Sequence, residues 1–517
     1  MHWRSFFSLL VYPLKMLHFP LIMRPILHAL LSVITAGTLF AAERNIILFI
    51  TDDQSPDAGC YGNPLIKMPN LDALAADGTL FTHAFATTAS CSASRSVVLS
   101  GLHNHLNGQY GHQHHFHKFT TFENVQTLPV LLARHGYRTA RIGKYHVAPE
   151  PVYHFETTLR GSARNAVQMA DNSEPFISAE DDRPFFLYFA TSDPHRGGGV
   201  DKSSPHKPDL FGNRPNRGSH KGVEEVFYKP EDVIVPPFLP DTPTCRAELA
   251  QYYQSCSRID TGLGRLVEIL KKNGKYENTL IVFTADHGIA MPGGKTTVYE
   301  PGLRVPFIVR NPFNKLRNIR SNAMISHVDI TPSLLDFAGA YDAKTGGALQ
   351  KLMDFKKPQE RAPAENRGNQ VTKFHGRSWL PILTRENVDG WDEIGASHTF
   401  HEIQMYYPMR VVRDRNYKLI WNIAHPLPFP FASDLWAAPT WQAQYRQGPN
   451  TKYGQRTVQD YIKRPEFELF DIRKDPNEAK NLANDPKHYE LLQSYKKKLK
   501  AMQKRSGDPW MIKWSYE

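Results

Sequence analysis

The sequence predicts an α/β fold in which a mostly parallel sheet is sandwiched by helices, followed by a smaller C-terminal subdomain of antiparallel sheet and packed helix. Four short apolar runs, each ending in polar groups, are separated by helical stretches, the pattern of strands covered on both faces. Further on, strand-like RVVRDRNYKLIWNI (Arg410–Ile423) and FELFDI (Phe467–Ile472) precede helix-like HYELLQSYKKKLKAMQK (His488–Lys504), as in a separate antiparallel layer. The chain has 517 residues and is 41% hydrophobic, more than one typical domain and enough for a substantial core.

Residues 1–42 read as a targeting segment. MRPILHALLSVITAGTLFAAE, from Met23, has a basic start, an apolar stretch and small residues at Ala41 and Ala42, as a secretory leader cleaved near that point does. Met23 is itself a candidate start. Export places the mature chain in a periplasm, outside the cell or, in a eukaryote, in a lysosome. NIILFI (Asn45–Ile50) then leads into Asp52 and Asp53, YRTARIG (Tyr137–Gly143) into Lys144 and His146, PFFLYFAT (Pro184–Thr191) into Asp193 and His195, and TLIVFT (Thr279–Thr284) into Asp286 and His287. Ligands of open α/β sheets collect beyond the carboxyl ends of strands, so one centre can draw on all four. The chemistry lies within a catalytic lobe of residues 43–370. A polar Pro/Gly-containing stretch, Tyr341–Gln370, is the expected linker or surface excursion to a second lobe of residues 371–517.

A lone strand ending in Asp-Asp is usually a solvated turn, but four such ends carry complementary charge. Asp52, Asp53 and Asp286 would repel one another without a cation, and oxygen donors suit a hard divalent ion such as calcium or magnesium. Arg95, Lys144 and Lys295 would then hold an oxyanion and stabilise charge growing on it. Hydrolysis of an anionic ester or amide follows. Cys91 opens CSASRSVVLSG (Cys91–Gly101), where a helix starting around Ser92 would aim free N–H groups and its positive dipole end at a bound anion. The bland alternative is a buried free thiol. Of the other cysteines, Cys245 and Cys256 stand eleven residues apart around a predicted helix and, like Cys60, are expected to be free.

The formal charge of +11 becomes +8 when residues 1–42 are removed, because Arg4, Lys15 and Arg24 leave with no acidic residue. A basic surface attracts polyanions; no nucleic-acid-binding motif points to that class of partner. Six histidines between His103 and His117 suggest a transition-metal site, yet density is not geometry, and lining of the active site is the preferred reading. The polar, basic stretch from Gly197 to Gly222 reads equally as a lid contacting substrate or as a solvated insertion.

The order Cys-Ser-Ala-Ser-Arg, three residues, then Leu99-Ser100-Gly101 resembles the signature of type I sulfatases, in the alkaline phosphatase superfamily. MPNLDALAADGTLFTHAFA (Met68–Ala86), TLPVLLARHGYRTARIGK (Thr127–Lys144) and FELFDIRKDPNEAKNLANDP (Phe467–Pro486) are similar to blocks common to that family. NGQYGHQHHFHKF (Asn107–Phe119), GKYHVAPEPVYHF (Gly143–Phe155), DDRPFFLYFATSDPHR (Asp181–Arg196), VPPFLPDTP (Val235–Pro243) and HEIQMYYPMR (His401–Arg410) resemble its sulfamidase branch, which acts on N-sulfoglucosamine in heparan sulfate. The resemblance implies an alkaline-phosphatase-like fold, conversion of Cys91 to formylglycine by a maturase, and one divalent ion, Ca2+, held by Asp52, Asp53, Asp286, His287 and residue 91. It further implies that Arg95 fixes the hydrated aldehyde, that Lys144 and His146 contact nucleophile and sulfate, that Lys295 offsets sulfuryl charge, and that His195 protonates the leaving nitrogen. HEIQMYYPMR comes from the second lobe, and if it reaches the pocket His401, Glu402 and Arg410 are the candidates to read the sugar. The implied partners are a sulfated glycosaminoglycan and the maturase, with a homodimer compatible, no nucleic acid, and no stable membrane insertion once the leader is gone. Three positions depart from the pattern: Ala93 replaces proline, His287 replaces the asparagine of sulfamidases and matches some O-sulfatases, and Lys295 replaces an arginine, losing a two-pronged contact. The rival expectation is therefore an exo-acting O-sulfatase on a sulfated glycan.

Overall fold

A computed structural model describes residues 44–215, 217–353 and 373–515. The expected leader and the part of the expected linker from 354 to 370 lie outside the described residues.

All four apolar runs form strands: β1 (Asn45–Thr51), β3 (Arg138–Gly143), β5 (Phe185–Ala190) and β6 (Thr279–Ala285). They lie side by side and parallel, in the order β6-β1-β5-β3. The eight-stranded sheet is completed by β2 (Thr79–Phe85), β4 (Thr157–Leu159), β7 (Phe307–Arg310) and β8 (Ile319–Ser326). Its full order is β8-β2-β7-β6-β1-β5-β3-β4, and β7 alone runs antiparallel to its neighbours.

Successive strand residues face opposite sides, so continuous apolar runs need cover on both faces. Ile46, Leu48 and Ile50 of β1 pack with Val98 and Leu99 of α2 (Cys91–Ser100), Leu131 and Leu132 of α3 (Leu128–Arg134) and Leu334 and Leu335 of α6 (Ile330–Ala338). Ile47 and Phe49 pack on the other side against Leu71 and Leu74 of α1 (Pro69–Ala76), Met169 and Ala170 of α4 (Ala166–Ile177) and Leu249, Ile259, Leu263 and Leu266 of α5 (Pro243–Lys272). Each fully buried side chain of this kind stabilises the fold by about 1.5–3 kcal/mol. The thirty-residue α5 starts on Thr242, whose side chain accepts from Cys245 N–H, and ends on Lys271 and Lys272, which complement its dipole.

The second sheet is antiparallel, in the order β9 (Glu393–His398), β10 (Met409–Asp414), β11 (Tyr417–Asn422), β12 (Phe467–Asp471). The strand-like stretch from Arg410 to Ile423 is two strands rather than one, because Asp414 Oδ1 accepts from the N–H groups of Asn416 and Tyr417 and turns the chain. Val412, Leu419 and Leu469 face Leu492, Tyr495 and Leu499 of α7 (Tyr489–Arg505). The opposite face, with Met409, Val411, Ile420 and Phe470, packs on Phe85, Tyr299 and Leu303. The described residues form a single compact unit, and this apolar seam is one of its joints. Among the described residues no helix is long and apolar enough to cross a membrane. All four cysteines are free.

Candidate active site

Asp52 and Asp53 follow β1, Lys144 follows β3, His195 lies on the loop after β5, and Asp286 and His287 follow β6. Four neighbouring parallel strands thus deliver these groups to one edge, as the apolar runs predicted. Cys91 opens α2, with Ser90 extended before it and Gly101 left-handed after its last residue. Every residue of that helix is buried, and its first-turn N–H groups converge on the same edge.

Arg95, one turn beyond Cys91, organises the acidic groups. Its guanidinium donates to Asp286 Oδ2 at 3.0 Å, Asp52 Oδ1 at 3.2 Å, the Lys144 carbonyl at 3.1 Å and the Tyr188 hydroxyl at 3.2 Å. Lys144 Nζ donates to Asp52 Oδ2 at 2.5 Å. Burial opposes the charge of Asp52, but Lys144, His195 and Arg95 outweigh it and hold the carboxyl well below its usual range. Asp286 goes the other way. Burial, and then the charge of Asp52, push it up to about 6, as expected of a carboxylate set short of positive charge.

His287 shows where that charge belongs. Its Nδ1 donates to the Gly288 carbonyl at 3.0 Å, and since a carbonyl can only accept, Nε2 of the neutral ring carries the lone pair. That lone pair faces Asp53 Oδ1 at 3.1 Å and Cys91 Sγ at 3.4 Å. Asp52, Asp53 and Asp286 offer oxygens within ligand reach of one another, and Asp53, Cys91 and His287 form an overlapping set. Facing lone pairs in a fully buried setting suit a metal ion, so the residues present fit the divalent cation that the sequence implies. Asp53 itself adopts φ 60, as does His146. Such left-handed conformations are costly for residues with a Cβ and gather at functional sites.

Lys295 is the hub of the opposite wall. Its Nζ donates to Asp53 Oδ2 at 3.1 Å, Asp434 Oδ2 at 2.9 Å and His195 Nε2 at 2.9 Å. His195 Nδ1 donates to the Arg196 carbonyl at 2.6 Å, so Nε2 is the acceptor facing the site. Burial and then the charge of Lys295 hold this imidazole below its usual value. Burial likewise pushes the Cys91 thiol well above its ordinary range, so the unmodified side chain is no ready thiolate nucleophile.

The histidine-rich segment reaches the same place. His112 and His114 stack on His146, and His112 Nε2 shares a 2.8 Å hydrogen bond with His401 Nε2. His401 Nδ1 bonds Ser90 Oγ at 2.9 Å, next to Cys91, so a residue from the C-terminal region borders the nucleophile. Glu402 accepts from Ser433 Oγ at 2.7 Å, beside Asp434. Arg410 is not brought in. Its guanidinium grips Asp508 at 2.5 and 3.1 Å, bonds the His398 carbonyl and lies over Trp510. The expected reader of the sugar is thus engaged elsewhere. Asp434 and Tyr188 escaped the sequence reading. Tyr188 sits inside an apolar strand run, whereas Asp434 is a single acid in an irregular stretch, and neither carries a spacing signal.

The Sulfatase family profile matches residues 44–340. The chain belongs to the sulfatase family. It is 37% identical over 497 residues to human N-sulphoglucosamine sulphohydrolase, covering 93% of this chain and 94% of the relative. It is 27% identical to an ulvan-active sulfatase of Formosa agariphila, covering 92% and 83% of the two chains. A protein solved in complex with its substrate D-glucosamine-2-N,6-O-disulfate superposes with a TM-score of 0.61 at 20% identity, over 90% of this chain and 99% of the other, and so shares the fold. The alkaline-phosphatase-like architecture expected from the sequence is borne out, and a sulfatase is a hydrolase of sulfuric esters.

Proposed function

We propose that this sulfatase removes the N-sulfate from non-reducing-end N-sulfoglucosamine in heparan sulfate or heparin fragments. The observation that carries the reading is the 37% identity, across nearly the whole of both chains, to human N-sulphoglucosamine sulphohydrolase. Cys91 is converted by a maturase to formylglycine, whose hydrate supplies the attacking hydroxyl in place of the Sγ described above. Asp52, Asp53, Asp286 and His287, with residue 91, would hold a divalent cation, calcium by the family resemblance, which when bound would polarise the sulfate and ease ionisation of the attacking hydroxyl.

The chain's own groups do the rest. Arg95 anchors Asp52 and Asp286 and, with the first turn of α2, fixes where residue 91 points. Lys144 and His146 border the nucleophile and the sulfate, and Lys144 and Lys295 offset charge on the sulfuryl oxygens. His195 hands a proton from Nε2 to the leaving nitrogen. It must first be protonated there; burial and the Lys295 ammonium at 2.9 Å oppose that state, and the carboxylates of Asp53 and Asp434, 3.6 and 3.8 Å from Nε2, offset part of that cost. His401 and Glu402 line the sugar side. An exported location, cleavage of the leader near Ala41 or Ala42, lobes divided near residue 370 and a homodimer belong to the same proposal.

An O-sulfatase is the second reading, supported by His287 in place of asparagine. The test is sulfate release by the matured enzyme from glucosamine N-sulfate and from N-acetylglucosamine 6-O-sulfate, with Cys91→Ala as control. Cys91-dependent release from the N-sulfate alone is expected. Release from the O-sulfate alone refutes the N-sulfatase reading while retaining the sulfatase chemistry.

A further inference from the structure

Asp434 is a carboxylate at the cleft outside the set of Asp52, Asp53, Asp286 and His287, although with Asp53 and His195 it offers a further group of ligand atoms within reach of one another. It sits on a short helix, Ser433–Trp436, in the C-terminal region. Its Oδ1 accepts from Leu435 N–H at 2.9 Å, which fixes the carboxylate plane, while Oδ2 meets Lys295 Nζ at 2.9 Å and lies 3.8 Å from His195 Nε2. Asp53 is fully buried and Lys295 is 1% exposed, but the Asp434 side chain is 24% exposed. It is therefore the solvent-facing member of the group Asp53, Lys295 and Asp434 around His195, the proposed proton donor.

The charge of that leaving group separates the two reactions. When the S–N bond of a sulfamate breaks, the electron pair stays on nitrogen, a proton from His195 gives the amine, and a second proton from solvent gives an ammonium ion. When the S–O bond of an ester breaks, the same pair builds alkoxide charge on oxygen, neutralised by one proton. The nitrogen carries an N–H throughout and ends cationic; the ester oxygen carries none and passes through an anionic state. A carboxylate oxygen at this position accepts the N–H and attracts the ammonium through a charge-assisted hydrogen bond, but repels a developing alkoxide.

We infer that Asp434 is a specificity-determining residue that binds the leaving amine and selects N-sulfate over O-sulfate. The inference rests on the N-sulfatase reading. Its placement also explains why a segment beyond the family profile, which ends at residue 340, is tied to the cleft: the Glu402 carboxylate receives the Ser433 hydroxyl and so fixes the start of the Asp434 helix.

The test compares the matured wild type with Asp434→Asn and Asp434→Glu, measuring kcat/KM on glucosamine N-sulfate and inhibition by two sugars, glucosamine and N-acetylglucosamine. Glucosamine presents an ammonium; N-acetylglucosamine presents a neutral amide on the same ring. For Asp434→Asn the expected result is a fall of about 10-fold to 100-fold in kcat/KM, the range for a hydrogen bond to a charged group. Glucosamine inhibition should weaken about 10-fold or more, that by N-acetylglucosamine should stay unchanged, and Asp434→Glu should recover part of both losses. A fall in kcat with the glucosamine to N-acetylglucosamine inhibition ratio unchanged overturns the inference, because a carboxylate that only positions Lys295 would give that outcome. If the Asn variant does not fold, the Glu variant and direct titration of Cys91→Ala with both sugars, at pH values above and below the glucosamine pKa, decide the matter: no preference for the cationic sugar overturns it. A wild type that cleaves only the O-sulfate fails earlier and visibly, by removing the N-sulfatase reading itself.

Discussion

Replacing Arg95 with methionine keeps most of the side-chain volume and removes the guanidinium. Asp52 and Asp286, each fully buried, then lose partners at 3.2 and 3.0 Å, and the Lys144 carbonyl and Tyr188 hydroxyl lose a donor. Stripping one partner from a buried ionic set costs about 3–5 kcal/mol. For a unit of this size the unfolding entropy is about 1 kcal/mol/K, so the melting temperature in metal-free buffer should fall by about 3–5 °C. The same carboxylates are ligands for the proposed cation, which can supply part of the missing charge. The gap between wild type and variant should therefore narrow when calcium is added. Arg95→Lys, which keeps the charge without the fork, should fall between the two. Turnover should drop about 100-fold to 1000-fold in the methionine variant, as for loss of one preorganised charge-stabilising donor. The assay is thermal unfolding with and without calcium, alongside sulfate release. A variant that melts with the wild type in metal-free buffer, or a gap indifferent to calcium, would refute the idea that Arg95 and the cation share these carboxylates.

Two further outcomes test the surrounding frame. Burial opposes the charge of Asp508, but Arg410 overrides it and keeps the carboxyl well below its usual range. The stabilisation this pair gives is complete above the unfolded carboxyl value of about 3.9 and is lost as pH falls through the lower folded value. Asp508→Asn should therefore cost about 3–5 kcal/mol near neutrality and progressively less in strong acid, with catalysis per folded molecule retained; denaturant unfolding across pH reads this, and a gap that does not close in acid contradicts it. Gly143, at φ 84, ends β3 just before Lys144, and a Cβ there would come within 2.0 Å of the Ala190 carbonyl oxygen. Gly143→Ala should lose about 1–3 kcal/mol and more activity than that instability explains, because Lys144 shifts with it; unchanged kinetics would show that Lys144 tolerates displacement.

The central strands were legible because burial on both faces forces uninterrupted apolar residues, and their polar ends were legible because nothing apolar follows. The helix at Cys91 was readable for a similar local reason, with small residues after an extended Ser90 and a glycine at its end. Pairings across the fold were not readable. Arg410 lies in a block that resembles sulfamidases and is a candidate to read the sugar, yet Asp508, ninety-eight positions away, takes its guanidinium, a choice settled only when α7 packs on the second sheet. The direction of β7 and the left-handed backbones of Asp53 and His146 likewise depend on contacts that no local pattern encodes. Sequence gives charges by type, while distance decides which of them cancel. Lys295 illustrates the consequence: read alone it is a cation for sulfate, but between Asp53 and Asp434 its charge is already divided, as that of Lys144 is by Asp52 at 2.5 Å. The exposed half of the Lys295–Asp434 pair is then left to meet the leaving group, where a negative charge is useful to an amine and harmful to an alcohol.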